Sequence, residues 1–136
     1  MSKVRPYAQS IERLKSAQLR PTRQRIALAR LLFEGNDRHV TAEQLHGEAA
    51  AAKVQVSLAT VYNTLHQFTA AGLMREVVVE TGRSYFDTNT TNHYHFFESD
   101  TAVLRDIPTE SIKLLALPDA PAGREIDRVD IIVRLK

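Results

Sequence analysis

The hydrophobic repeat of this chain changes at Gly72, and that change limits the folds open to it. Before Gly72 the apolar residues recur at helical spacing; after it they alternate. Residues 7–17 place Ile11 and Leu14 on one face of a short amphipathic segment. Thr22 is the expected N-cap of a second helix with Ile26, Ala29, Leu32 and Phe33 as its buried stripe, and Gly35-Asn36-Asp37 ends it. Thr41-Ala42-Glu43-Gln44 matches a capping box, in which Thr and Gln side chains each satisfy an amide left over at a helix start. Ser57 caps a further helix with Leu58, Val61, Leu65 and Phe68 inward, and Gly72 stands where a left-handed C-cap residue belongs.

Beyond Gly72, residues 73–80, the turn Thr81-Gly82-Arg83 and residues 84–87 read as a β-hairpin. Small helices followed by a hairpin form the pattern of a winged helix-turn-helix, with 41–71 as the helix pair and 73–87 as the wing. Then come a strand over 92–98, a second over 101–107, a helical stretch over 109–117, a Pro/Ala/Gly link over 118–123 and a last strand over 126–135. The expected fold class is α+β: a winged-helix domain over 1–87 and a small α/β dimerisation domain over 88–136. The latter, with ~50 residues, buries too little surface to stand alone without a metal, disulfides or a partner. The chain has no cysteine, so disulfides, thiolate catalysis and cysteine zinc sites are excluded. A sheet completed by a second copy, hence a homodimer, is the economical expectation.

Apolar residues make up 43% and charged residues 25%, normal for a soluble globular chain. No run approaches the ~18 apolar residues of a membrane span, and the Lys3/Arg5 start lacks a signal peptide's apolar core. No membrane partner and a cytoplasmic location are expected. The net charge of +2 conceals an asymmetry: residues 1–85 carry 12 Lys/Arg against 7 Asp/Glu, whereas 86–136 carry 6 against 9. A basic front half suits a polyanion, most commonly nucleic acid.

On the helix over 57–71, Thr60, Asn63, Thr64 and Gln67 face outward when the apolar stripe faces in, and Tyr62 lies at the edge, compatible with either side. Asn and Gln can bond bidentately to adenine, and Thr can touch a thymine methyl. Ser57 belongs to the same face. Lys15, Arg20, Arg23 and Arg25 precede it, where first-helix side chains meet phosphates, and Arg83 at the hairpin tip is placed for a wing contact. A second constellation is His39, Asp87, His93, His95 and Asp106. In Asn92-His93-Tyr94-His95-Phe96, strand alternation puts both imidazoles on one face and Tyr94 and Phe96 on the other. Two imidazoles so spaced can chelate one cation, and nearby carboxylates complete a nitrogen/oxygen site. His46 and His66 have no partner pattern and read as structural or surface residues.

Arg20-Pro21-Thr22-Arg23-Gln24-Arg25, His39-Val40-Thr41-Ala42-Glu43 and Val56-Ser57-Leu58-Ala59-Thr60-Val61-Tyr62-Asn63-Thr64-Leu65 resemble the DNA-binding domain of the ferric uptake regulator superfamily. Ser84-Tyr85-Phe86-Asp87 followed by His93-Tyr94-His95 resembles its hinge and sensing site, and the likeness runs over about residues 10–107. The resemblance implies a dimeric winged-helix repressor of double-stranded, AT-rich operator DNA. It implies one regulatory site per subunit for a divalent metal (Fe2+, Mn2+ or Zn2+), ligated by His39, Asp87, His93, His95 and Asp106. Tyr62 and Asn63 match the family's base-contacting pair. Most relatives have two CxxC pairs holding a structural zinc; here Glu98 and Thr101 occupy the first pair's positions, so that four-cysteine zinc is absent. Asn92 and Tyr94 stand where a second cation site has His and Asp. The cysteine-free His-x-His run followed by Phe-Phe resembles the Irr-type iron response regulators, implying an iron- and haem-responsive regulator with His93 and His95 as haem ligands. The alternatives are a metal- or peroxide-responsive repressor of the same superfamily, a non-haem iron enzyme, and a winged helix used only for protein contacts.

Overall fold

The computed structural model describes residues 7–136; Lys3 and Arg5 lie outside the described residues. The chain divides into two compact units, one running to Thr90 and one comprising Thr91–Lys136.

The first unit contains α1 (Ala8–Ser16), α2 (Arg23–Phe33), β1 (His39–Val40), α3 (Ala42–Ala51), α4 (Leu58–Ala70), β2 (Arg75–Glu80) and β3 (Arg83–Asp87). Three helices begin at capping side chains. Thr22 Oγ1 accepts from the Arg25 amide at 3.3 Å, Ser57 Oγ accepts from the Thr60 amide at 3.1 Å, and Thr41 and Gln44 form both halves of the capping box. Each cap stabilises its helix by ~1 kcal/mol. Helix α4 stops at Gly72, whose φ of +83° is open to glycine at little cost, and the Leu73 amide turns back to the Phe68 carbonyl at 2.9 Å.

Leu14, Leu28, Leu32, Val40, Leu45, Val61, Leu65, Phe68, Met74 and Phe86 close one core over the helices and the three-stranded sheet β1-β3-β2. Phe68 is fully buried, with the Phe33 ring 6.0 Å away. The buried stripe of α4 is Val61, Thr64, Leu65 and Phe68. Leu58, expected inward, is 41% exposed. It sits in the first turn, and the i, i+3, i+4, i+7 set begins one turn later.

The second unit contains β4 (Tyr94–Glu98), β5 (Val103–Ile107) and β6 (Ile132–Leu135) in the order β5-β4-β6. β4 is antiparallel to β5 and parallel to β6, and Phe97, Leu104 and Ile107 are buried. Two expectations need correction. The helical stretch over 109–117 is a single 3-10 turn, Thr109–Ser111. Leu114, Leu115 and Leu117 find nothing in this unit to pack on and are exposed, and a lone nine-residue helix is marginal in water. The last strand begins at Ile132 rather than 126, because β4 offers only His95–Glu98 as rungs for it.

Candidate metal centre and nucleic-acid interface

In the first unit the donors come from two paired strands. The register of β1 on β3 sets His39 opposite Asp87, with His39 Nε2 3.4 Å from Asp87 Oδ2. Asp87 is only 1% exposed, and its other oxygen accepts from the Asn89 amide at 2.9 Å. In the second unit His93 and His95 are both buried, their ring centroids 4.5 Å apart. The β4–β5 register sets Asp106 opposite His95, and Asp106 Oδ1 lies 3.4 Å from His93 Nε2 and 3.5 Å from His95 Nε2. His93 Nδ1 is 2.6 Å from the Thr91 carbonyl oxygen, which can only accept. That bond places the ring proton on Nδ1 and leaves the Nε2 lone pair toward Asp106.

Those three N–O separations are long for a hydrogen bond, whose mode is about 2.9–3.0 Å. They suit two donors of one divalent ion at ~2.1 Å, which stand about 3.0–3.4 Å apart in octahedral or tetrahedral geometry. Each unit thus offers imidazole and carboxylate donors and no thiolate, the chemistry that suits zinc, iron or manganese.

The outward face of α4 differs from its sequence reading at several positions. Thr64, expected to meet bases, is buried at 5% exposure, because it falls in the i, i+3 row with Val61. Ser57 and Thr60 bond to each other, Oγ to Oγ1 at 2.9 Å, in the cap. Gln67 accepts from Arg25 Nη2 at 3.0 Å, and Arg25 Nη1 donates to the Arg20 carbonyl at 3.0 Å, so Arg25 ties α2 to α4. Arg83 pairs with Glu80 at 3.2 Å across the wing turn. Asn63 is exposed, and its side-chain amide makes no hydrogen bond with any described residue. Lys15, Arg20 and Arg23 are exposed as expected. Tyr62 is 46% exposed and points outward.

Sequence reasoning passed over two residues. His66, read as structural or surface, stands edge-on between Tyr62 (4.5 Å) and the buried Phe86 (5.2 Å); its place four residues after Tyr62 on a helix was the available signal. Arg38 forks onto Glu48, Nη1 to Oε1 at 2.8 Å and Nη2 to Oε2 at 2.5 Å, and this bonding raises its pKa above the usual arginine value against the opposing effect of burial. Between β4 and β5, Thr101 Oγ1 donates to Glu98 Oε1 at 3.2 Å and Arg105 bonds Glu98 Oε2.

A helix-turn-helix with a wing, joined to a separate sheet unit that presents paired imidazoles, defines a two-unit winged-helix protein with side chains able to ligate a metal. The chain belongs to the ferric uptake regulator family, whose model matches residues 16–129. It is 37% identical over 87 residues to the peroxide-responsive repressor PerR of Staphylococcus epidermidis, an alignment covering 64% of this chain and 57% of that protein. The chain thus spans little more than half the length of the curated relative it matches. Two solved structures share its fold: the ferric uptake regulator from Pseudomonas aeruginosa with manganese (TM-score 0.69, 24% identity, 93% of this chain and 96% of that one) and the Vibrio cholerae ferric uptake regulator (TM-score 0.72, 22%, 93% and 98%).

Proposed function

We propose that this chain is a metal-responsive, DNA-binding transcriptional repressor that works as a homodimer on double-stranded operator DNA. The observation that carries this reading is that each unit sets imidazole beside carboxylate: the half-buried His39 against the buried Asp87 in the first, and the buried His93 and His95 against Asp106 in the second. His39 and Asp87 offer two donors, and His93, His95 and Asp106 offer three. We assign all five to one divalent cation per subunit. When bound, that ion supplies a strong electrostatic bond that favours one placement of the DNA-reading unit over others. His39 and Asp87 hold the reading unit's side of the bond. The Thr91 carbonyl keeps His93 in the ligating tautomer.

On DNA, Asn63 and Tyr62 read bases in the major groove while Lys15, Arg20 and Arg23 meet phosphates. Ser57, Thr60, Gln67, Arg25 and Arg83 shape that face through the bonds given above, and AT-rich sequence is the expected target. The manganese named for the Pseudomonas protein and the peroxide response named for the Staphylococcus repressor both accord with this reading. The family is one of regulators, which leaves the iron-enzyme alternative without support. A cytoplasmic location, where operator DNA is reached, is part of this proposal; among the described residues no helix is long and apolar enough to cross a membrane.

A haem- and iron-responsive variant of the Irr type is the second reading, favoured by adjacent imidazoles in a chain without cysteine. The burial of both rings against one shared carboxylate favours the small cation, since a macrocycle requires His93 and His95 to turn outward. One experiment separates them: titrate the purified protein with Mn2+, Fe2+ and haem, and follow binding to an AT-rich duplex by gel shift. Tighter binding with metal supports the first reading, and a haem response alone supports the second. Binding that ignores both, or that lacks steep salt dependence, removes the regulator reading.

A further inference from the structure

The strand that carries His39 is two residues long, and a ladder that short does not hold a donor to the ~0.5 Å a metal site requires. Residue 38 is held from three directions. Its guanidinium forks onto Glu48 of α3, and Nη1 also donates to the Leu31 carbonyl of α2 at 3.3 Å. Its backbone is bound in both directions to Thr88: the Arg38 amide donates to Thr88 Oγ1 at 2.9 Å, and the Arg38 carbonyl accepts from the Thr88 amide at 3.0 Å. Thr88 Oγ1 in turn donates to Asp37 at 3.2 Å.

We infer that Arg38, with Glu48 and Thr88, is a positioning residue for His39, fixing its imidazole opposite Asp87 by anchoring β1 to α2, α3 and the end of β3. The placement is symmetrical about the donor pair: His39 follows Arg38 by one peptide, and Thr88 follows Asp87 by one peptide. Arg38 and Glu48 side chains are 33% and 37% exposed, so the fork is partly shielded from solvent and geometrically specific. The arrangement also ties the donor strand to the helix-turn-helix. Force on His39 reaches α3 through Glu48 instead of being absorbed by a loose loop. This inference rests on His39 being a ligand.

The test is a Co2+ titration of the full chain, followed by visible absorption, alongside thermal unfolding. Arg38→Met keeps the aliphatic stem and removes the fork. It should bind Co2+ about 10–100-fold more weakly, with an altered ligand-field band, while still unfolding cooperatively. Arg38→Lys, which restores charge without the fork, should recover part of the loss. Wild-type affinity and spectrum in Arg38→Met overturn the inference. Should that variant fail to fold, Thr88→Val removes only the hydroxyl's bonds to Arg38 and Asp37 and should weaken Co2+ about fivefold. Unchanged affinity there is equally fatal. Wild-type protein that binds no Co2+ refutes the metal centre itself, whereas wild-type binding with insensitive variants refutes the clamp alone.

Discussion

Under the proposed function, adjacent residues Asn63 and Thr64 on α4 separate reading DNA from holding the fold. Asn63 is exposed and its amide is uncommitted among the described residues, so it can give a bidentate contact to adenine. Asn63→Ala should cost ~1–3 kcal/mol of discrimination, roughly 5- to 150-fold. Its stability should stay within about 0.5 kcal/mol of wild type, because an exposed helix position loses no packing. Thr64 is the converse: at 5% exposure it packs with Val61, Leu65 and Phe68. Thr64→Ala should lose about 1 kcal/mol of stability through the missing methyl and the gap it leaves, with discrimination intact. The assay uses a duplex enriched from a randomised pool by the wild-type protein in Mn2+. Fluorescence anisotropy at one salt concentration compares its affinity with that of the unselected pool, and urea unfolding gives stability. If Asn63→Ala keeps the wild-type ratio, or Thr64→Ala loses it at unchanged stability, the assignment of these two faces is wrong.

Three further outcomes are expected. His39→Ala should abolish the metal-dependent gain in DNA affinity while light scattering still reports a dimer; undiminished metal dependence would refute the donor assignment. Gly72→Ala meets no atom within 4 Å but must hold φ at +83°, so it should destabilise by about 1 kcal/mol, read as a lower urea midpoint at constant slope. Hydrogen bonding from Arg105, and then from Thr101, holds the Glu98 carboxyl below its ordinary value of about 4.5, outweighing desolvation. A depressed folded value means the stabilisation is complete above pH 4.5 and disappears as pH falls through the lower folded value. Glu98→Gln should therefore melt below wild type at neutral pH and converge with it in acid; parallel melting curves down to about pH 3 would contradict this.

Local chemistry was the legible part of the sequence. Thr22, the Thr41/Gln44 box, Ser57 and Gly72 were readable because each acts on backbone within a few residues of itself. Thr64 was misread because a hydroxyl suggests solvent, although the residue falls on the buried row of α4 with Val61, Leu65 and Phe68. Residues 109–117 have a helical composition, but the outcome depended on whether anything lay beneath Leu114 and Leu115. The five proposed donors were singled out from strand alternation and family resemblance, yet the pairing of His39 with Asp87 was not readable. It depends on a strand of two residues and a register between segments almost fifty positions apart. Arg38 carried no signal at all, since an arginine beside an aspartate resembles any wet loop until Glu48 and Thr88 are brought to it by folding.

The parallel pairing of β6 along β4 also bears on how the protein survives damage. Ile132–Leu135 cover one flank of the strand that bears His95 and are reached only after the exposed leucines of the preceding segment. Proteolytic nicking in that segment would let the short strand peel away and leave the central strand's amides and carbonyls open to any neighbour. Clipped molecules should then aggregate more readily than intact ones, because the exposed edge moves from the four-residue β6 to the strand that bears His95.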